Sequence, residues 1–176
     1  MKVIAFGATN SRNSINKQLA TYAAQQIQGA DIDVLDLNDY EMPLFSVDRE
    51  ADIGQPQLAK DFLAKIDEAD LVIIAFAEHN GSYTAAYKNL FDWASRVRMK
   101  VYENKNVIML STSPGPGGAN SVLTAATGSA PYFGVNLIGS LSVPSFFDTF
   151  DAEHGEFRDA ELKAKLAAII AEVEQP

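Results

Sequence analysis

Residues 70–93, DLVIIAFAEHNGSYTAAYKNLFDW, change hydrophobic period within one short window, and that change constrains the chain more than any other stretch. Leu71–Phe76 is an unbroken apolar run of strand length. Glu78-His79-Asn80-Gly81-Ser82 interrupts it with polar and turn-forming residues, and from Tyr83 onward Tyr83, Tyr87, Leu90, Phe91 and Ala94 recur at helical spacing. The order is strand, polar turn, helix. A strand apolar on every residue is covered on both faces, the habit of parallel sheets in α/β proteins, where ligands sit at the carboxyl ends of the strands. Residues Ala77–Ser82 fall at such an end.

The flanking sequence repeats this alternation. Lys2–Phe6 is a β-rich apolar run, the polar loop Gly7–Asn13 follows, and Ile15, Leu19, Tyr22, Ala23 and Ile27 form the apolar side of a helix that opens at Ser14, with Gly29 placed to end it. Ile32–Leu37 reads as a second strand, and Asn38–Gln55 shows no clear period and reads as an irregular connection. Pro56 suits the first turn of a helix through Leu58, Phe62, Leu63 and Ile66. Val107–Leu110 is another buried strand, followed by the glycine-rich turn Ser111–Gly118, a small-residue helix over Ser121–Ala130 and a last strand within Val135–Val143. Ser145–Arg158 reads as loop, and Ala160–Val173 as a final amphipathic helix carrying Leu162, Leu166, Ile169, Ile170 and Val173. Five strands alternating with about five helices predict one α/β domain over residues 1–176, wound by right-handed crossovers.

Charge and cysteine content narrow the function. A formal net charge of −9, with no basic cluster beyond Arg96–Lys100, disfavours nucleic acid and anionic membranes as partners. The chain has no cysteine, which excludes disulfides, iron–sulfur clusters, thiolate zinc sites and cysteine nucleophiles and suits a reducing compartment. The apolar run at the N-terminus stops at Gly7, too short for a secretory signal, and nothing approaches the ~18 apolar residues of a membrane helix. The expectation is a cytoplasmic protein.

In a parallel sheet the turns after the first, third and fourth strands leave one edge together, and these three loops are the ones rich in Ser, Thr, Asn and Gly. In the first, Thr9, Ser11, Ser14 and Asn16 offer hydroxyl and amide donors, Arg12 offers a positive fork, and the helix that follows presents free N–H groups. A phosphate fits that set; Ser14 or Asn13 acting only as a helix cap is the alternative. The loop has neither G-x-x-x-x-G-K-[ST] nor G-x-G-x-x-G, so ATP hydrolysis and a dinucleotide fold lose support. In the second loop, Glu78, His79, Asn80, Gly81 and Ser82 can present backbone groups to a flat heterocycle, while Glu78 can equally bond the amides of a neighbouring loop. His79 has no Ser/Asp partner pattern around it and is not assigned as a base. In the third, Ser113, Gly115, Gly117 and Gly118 bring bare backbone towards a ligand or simply close a tight turn.

Three motifs, Ser14-Ile15-Asn16-Lys17-Gln18-Leu19-Ala20, then Ala77–Tyr83 with Lys88-Asn89 and Asp92-Trp93, then Ser113-Pro114-Gly115 with Gly117-Gly118, resemble the NADPH-dependent FMN reductase family of flavodoxin-like proteins. The resemblance runs in order from Val3 to about the last helix. It implies a flavodoxin-like three-layer α/β/α sandwich with a five-stranded parallel sheet. It implies FMN held with its phosphate in Thr9–Asn16 (Thr9, Ser11, Arg12, Ser14, Asn16), its ring edge against Glu78–Ser82 and its other side near Ser113–Gly118. It also implies NADPH or NADH as co-substrate, a small-molecule acceptor (quinone, azo compound, metal oxyanion or free flavin), and a homodimer or homotetramer. No metal site is implied. Two departures bear on ring contact and acceptor preference: Ala77 stands where the family usually has Pro, and His79 where it usually has Tyr. The first loop is also one residue longer than the family's common pattern, with Arg12 closer to Ser14.

The mechanism so implied is alternation: hydride passes from nicotinamide to FMN, and the second substrate is reduced on the same flavin face, with the protein supplying binding, orientation and tuning. Backbone donors of the second loop would stabilise negative charge on the reduced ring. An FMN-binding electron carrier without NAD(P)H activity is the alternative, and a non-flavin interaction module a third.

Overall fold

The computed structural model describes residues 1–173, and the expected alternation is its skeleton. Strands β1 (Lys2–Ala8), β2 (Asp31–Val34), β3 (Leu71–Phe76), β6 (Lys105–Thr112) and β7 (Val135–Val143) form one parallel sheet in the order β2-β1-β3-β6-β7. The short strands β4 (Glu78–His79) and β5 (Ser82–Tyr83) pair separately as a hairpin.

Side chains of the central strands alternate between two cores, as a period of two requires. Val3, Ala5, Leu71, Ile73, Ala75, Ile108 and Leu110 face a layer containing α1 (Ile15–Gln25) and α7 (Ala160–Val173). Ile4, Phe6, Val72, Ile74, Phe76, Val107 and Met109 face the opposite layer, made by α3 (Gln57–Glu68), α4 (Ala85–Val97) and α5 (Asn120–Ser129). The result is the expected α/β/α sandwich. Covering both faces explains why Leu71–Phe76 is apolar throughout: every residue of that strand is buried.

Gly7 sets how closely α1 lies on the sheet. A Cβ built there would stand 2.7 Å from the Lys17 backbone nitrogen, so only glycine lets the first helix pack against β1 at this distance.

The structure differs from the expectation at segment ends and in the long connections. Strand β2 stops at Val34, because Asp36 caps a 3₁₀ turn over Leu37–Tyr40 by accepting the Asn38 N–H at 2.9 Å. The first helix ends at Gln25, four residues before Gly29, tightened by i→i+3 bonds from Gln26 and Ile27; Gly29, at φ 67°, turns the chain towards β2. The connection Asn38–Gln55 contains helix α2 (Val47–Ile53), capped by Ser46. None of its residues is buried, so it leaves no amphipathic period to read. Likewise Ser145–Arg158 holds a one-turn helix, α6 (Phe146–Thr149), and a second hairpin of β8 (Phe150–Asp151) and β9 (Glu156–Phe157). No helix among the described residues is long and apolar enough to cross a membrane.

Candidate cofactor cleft

Register brings the three polar loops level. Ala8 pairs with Phe76, and Phe76 with Ser111, so β1, β3 and β6 reach their carboxyl ends side by side. The loops that leave them enclose a cavity of about 240 Å³ lined by Thr9, Ser11, Asn13–Asn16, Ala77–His79, Thr112–Pro114 and Phe147. A crevice at the carboxyl ends of parallel strands is where open α/β sheets bind ligands.

In the first loop most of the expected donors line this cavity. Thr9 is buried and its hydroxyl accepts the Ser11 N–H at 3.1 Å, which curls the loop back on itself. Ser14 caps α1 by accepting the Lys17 N–H at 3.0 Å and keeps its hydroxyl proton to donate. It is therefore a helix cap and a cleft-lining donor at once. The first turn of α1 leaves the Ile15 and Asn16 N–H groups without intrahelical partners, at the positive end of the helix. Asn16, expected as a donor to the ligand, is largely committed elsewhere. Its Nδ2 donates to the Thr112 carbonyl at 3.1 Å, and its Oδ1 accepts the Thr112 N–H at 3.0 Å.

Arg12 is the residue that lies apart. It is exposed and lines a neighbouring groove between α1 and the β8–β9 hairpin, not the three-loop cavity. Its neighbours Ser11 and Asn13 line the cavity instead.

The second loop folds as a hairpin instead of an open turn. Asn80 at φ 53° and Gly81 at φ 75° make the two-residue tip that matches strand twist, and Thr84 caps the helix that follows. Thr84 is buried and also donates to the Ala8 carbonyl at 2.9 Å, tying the start of α4 to the end of β1. Consequently Ala77, Glu78 and His79 reach the cavity, whereas Asn80, Gly81 and Ser82 stand exposed at the tip outside its lining. Glu78 accepts the Val122 N–H at 2.9 Å, the neighbouring-amide role open to it from sequence. It supplies the cap that Ala119, at φ 58°, cannot give α5.

In the third loop Ser113 lines the cavity while Gly115, Gly117 and Gly118 do not. Gly118 is a packing residue. Its carbonyl accepts both the Ser111 and Ser142 hydroxyls, at 2.7 and 2.9 Å, and a Cβ on it would run into Ser142 and Pro144. The Gly115 and Ser113 carbonyls accept the N–H groups of Ser145 and Phe146, which hangs the β7–α6 segment on this loop. Phe147, 57% exposed, is thereby set at the cavity wall. Sequence reading did not place Phe147 in the cleft, because the contact depends on that backbone tie across distant segments.

A second cavity of about 270 Å³ lies between α4 and α5, walled by Tyr83, Phe91, Phe133 and other apolar side chains. Its buried hydroxyls, Tyr87 and Tyr102, bond each other at 2.9 Å, and burial pushes the Tyr87 phenol far above its ordinary value. Lys88, Asp92, Ser95 and Ser129 also line it, in a wall that is otherwise mostly apolar.

The family model for NADPH-dependent FMN reductase matches residues 1–149. An NAD(P)H:quinone oxidoreductase of Solanum tuberosum is 30% identical over 182 residues, covering 97% of this chain and 89% of that protein. A 2-hydroxy-1,4-benzoquinone reductase of a Burkholderia species is 30% identical over 141 residues, 78% of this chain and 74% of the other. Among solved structures, the NAD(P)H:acceptor oxidoreductase FerB of Paracoccus denitrificans superposes with a TM-score of 0.78 over 98% of this chain and 97% of that one, at 22% identity. A flavodoxin of Pseudomonas aeruginosa shares the fold at a TM-score of 0.60 and 12% identity, covering 99% and 100%. Sheet order, the cleft at the carboxyl strand ends and these matches agree, and the chain belongs to the NADPH-dependent FMN reductase family.

Proposed function

We propose that this protein is an FMN-dependent NAD(P)H oxidoreductase that passes electrons by alternation to a small acceptor, with a quinone as the acceptor class. The observation that carries the reading is the convergence of three donor-rich loops on one cavity at level strand ends. The donor set fits FMN. At one end the Ser14 hydroxyl, the Ile15 and Asn16 N–H groups and the helix dipole suit a phosphate, and the nearby carboxylate, Glu78, is engaged with the Val122 N–H. Between the second and third loops, Ala77–His79 and Thr112–Pro114 offer backbone and small side chains to a flat ring.

When bound, FMN supplies two-electron redox chemistry that no side chain here offers. The protein's part is positioning. Ser14 and the first turn of α1 hold the phosphate, the Asn16–Thr112 pair fixes the spacing of the first and third loops, and Glu78 holds the second loop against α5. His79 and Phe147 line the cavity and are both exposed, so they meet whatever approaches from solvent. Of the residues anticipated from sequence, this reading retains Thr9, Ser11, Ser14, Asn16, Glu78, His79 and Ser113 in the cleft. The quinone is supported by the names of the Solanum and Burkholderia relatives. The same reading makes residues 1–176 a single cytoplasmic domain. It also makes the protein a homodimer or homotetramer, for which the apolar space between α4 and α5 and the exposed Tyr132 are the supporting features.

The test is the visible spectrum of the purified protein before and after adding FMN, then NADPH without oxygen. A bound-flavin spectrum that bleaches with NADPH, followed by parallel double-reciprocal lines when NADPH and a benzoquinone are both varied, is expected. Bound flavin that resists NADPH, or intersecting lines, would overturn the proposal.

A further inference from the structure

Arg12 poses a question that the cleft does not answer. It is the one cation of the first loop, it is exposed, and it enters no ion pair among the described residues. The next cation along, Lys17, is held by Asp36 at 2.8 Å. Arg12 stands at the head of a groove of about 360 Å³, larger than the cleft itself, between α1 and the β8–β9 hairpin. Asn13 and Ser14 line both spaces, so the groove and the cleft adjoin at the start of α1.

The walls have a consistent chemistry. Ser14, Gln18, Thr21 and Gln25 follow one another at helical spacing along a single stripe of α1, with Tyr22 of the same helix beside them, and the opposite side is Phe150, Ala152 and Gly155. Gln18 and Gln25 are exposed amides that both donate and accept. Gly155, at φ 68°, adds no side chain on the hairpin side. A cation near the start of α1, exposed amides along the helix and the buried rings of Tyr22 and Phe150 beside them form a set that matches a phosphate followed by a nucleoside. On a protein of net charge −9, a polyanionic co-substrate needs such a local positive group to dock.

We propose that this groove receives the adenosine phosphate half of the nicotinamide co-substrate, with Arg12 as its phosphate contact and Gln18 and Gln25 as its nucleoside contacts. The inference rests on the reductase reading above, since the nicotinamide half must lie in the cleft. It gives Arg12 a ligand other than the FMN phosphate.

The test compares wild type with Arg12→Glu and with Gln18→Trp, which fills the groove from an exposed helix position. FMN-loaded protein is assayed with NADPH, NADH and reduced nicotinamide mononucleotide, which lacks the adenosine half. Binding of adenosine 2′,5′-bisphosphate is measured separately by calorimetry. Both variants are expected to raise KM for NADPH about tenfold with kcat unchanged, to leave the mononucleotide reaction as in wild type, and to lose the bisphosphate. A rise confined to NADPH assigns Arg12 to the 2′-phosphate; a rise with NADH as well assigns it to the pyrophosphate. Unchanged KM values, or an equal loss with the mononucleotide, would overturn the proposal. If wild-type flavin were reduced by none of the three donors, the reductase reading would fall instead, and bisphosphate binding would still decide whether the groove takes an adenosine phosphate.

Discussion

Asn16 and Thr112, 96 residues apart in sequence, exchange two hydrogen bonds: the Asn16 amide donates to the Thr112 carbonyl at 3.1 Å and accepts the Thr112 N–H at 3.0 Å. The side chain completes the backbone pairing where β6 leaves the sheet, and it pins the first loop to the third. Both residues are buried, so removing the amide strands two peptide groups away from water. Asn16→Ala should cost about 2–6 kcal/mol, the sum of two buried unsatisfied groups at roughly 1–3 kcal/mol each. Asn16→Asp should be no better, because it sets a carboxylate against the Thr112 carbonyl. Both should weaken FMN at least about tenfold, read by flavin fluorescence quenching beside a denaturant melt. Stability lost with FMN affinity intact would show that the loops hold their spacing without this pair.

Glu78 makes a second tie. Helix α5 starts after Ala119, which has no side-chain acceptor, and the Glu78 carboxylate accepts the Val122 N–H from the β4–β5 hairpin. Glu78→Gln keeps an acceptor oxygen but loses the attraction of a negative charge for the helix start, about 0.3–1 kcal/mol. Glu78→Ala loses the cap as well, about 1 kcal/mol or somewhat more. Denaturation midpoints should therefore fall in the order wild type, Gln, Ala. Equal midpoints for Gln and Ala would mean that the hydrogen bond itself contributes nothing.

How much of this could be read from the chain depended on the range of the interaction. Leu71–Phe76 and Ala160–Val173 carry their structure in local pattern, and their limits coincide with the observed elements, while the strand expected within Val135–Val143 fills that whole range. Helix α2 was not legible, since it buries nothing and so has no apolar stripe. The convergence of the three loops was legible, because parallel strands place alternate turns on one edge. The division of labour within them was not. Asn16, Glu78 and Gly118 look like ligand contacts by residue type, yet each is spent on a partner between 7 and 96 residues away, Thr112, Val122 or Ser111 and Ser142. Arg12 lines the neighbouring groove, a placement set by the loop's backbone course and not by residue type, and Phe147 entered the cleft through backbone bonds from Ser145 and Phe146.

Phe147 is an exposed apolar side chain of the cleft lining. Its ring meets that of buried Phe146 edge to face, with centroids 5.5 Å apart, and otherwise faces outward. Phe147→Ala should change stability by no more than about 0.5 kcal/mol, as is usual for exposed positions. An aromatic contact is worth about 0.5–1.5 kcal/mol, so KM for a naphthoquinone should rise about two- to tenfold. Ferricyanide, which offers no ring to pack against, should be reduced as before, and FMN affinity should not move. A matching loss with ferricyanide would place Phe147 against the flavin and not against the acceptor.

Asp36 gives the fold a defined acid response. The Lys17 ammonium hydrogen-bonded to it at 2.8 Å, helped by the Asn38 N–H, holds its carboxyl down at about 2. This bridge joins α1 to the turn after β2. Because the folded value lies below the ~3.9 of an unfolded chain, the contribution is fully present above pH ~4 and disappears as pH falls through about 2. Both side chains are about one-third exposed, so solvent screening leaves roughly 0.5–1 kcal/mol at neutral pH. Asp36→Asn should therefore lower the urea midpoint at pH 7, with the gap from wild type narrowing steadily between pH 4 and pH 2. A gap that stays constant across that range would show that the cost of the substitution does not come from the ion pair with Lys17.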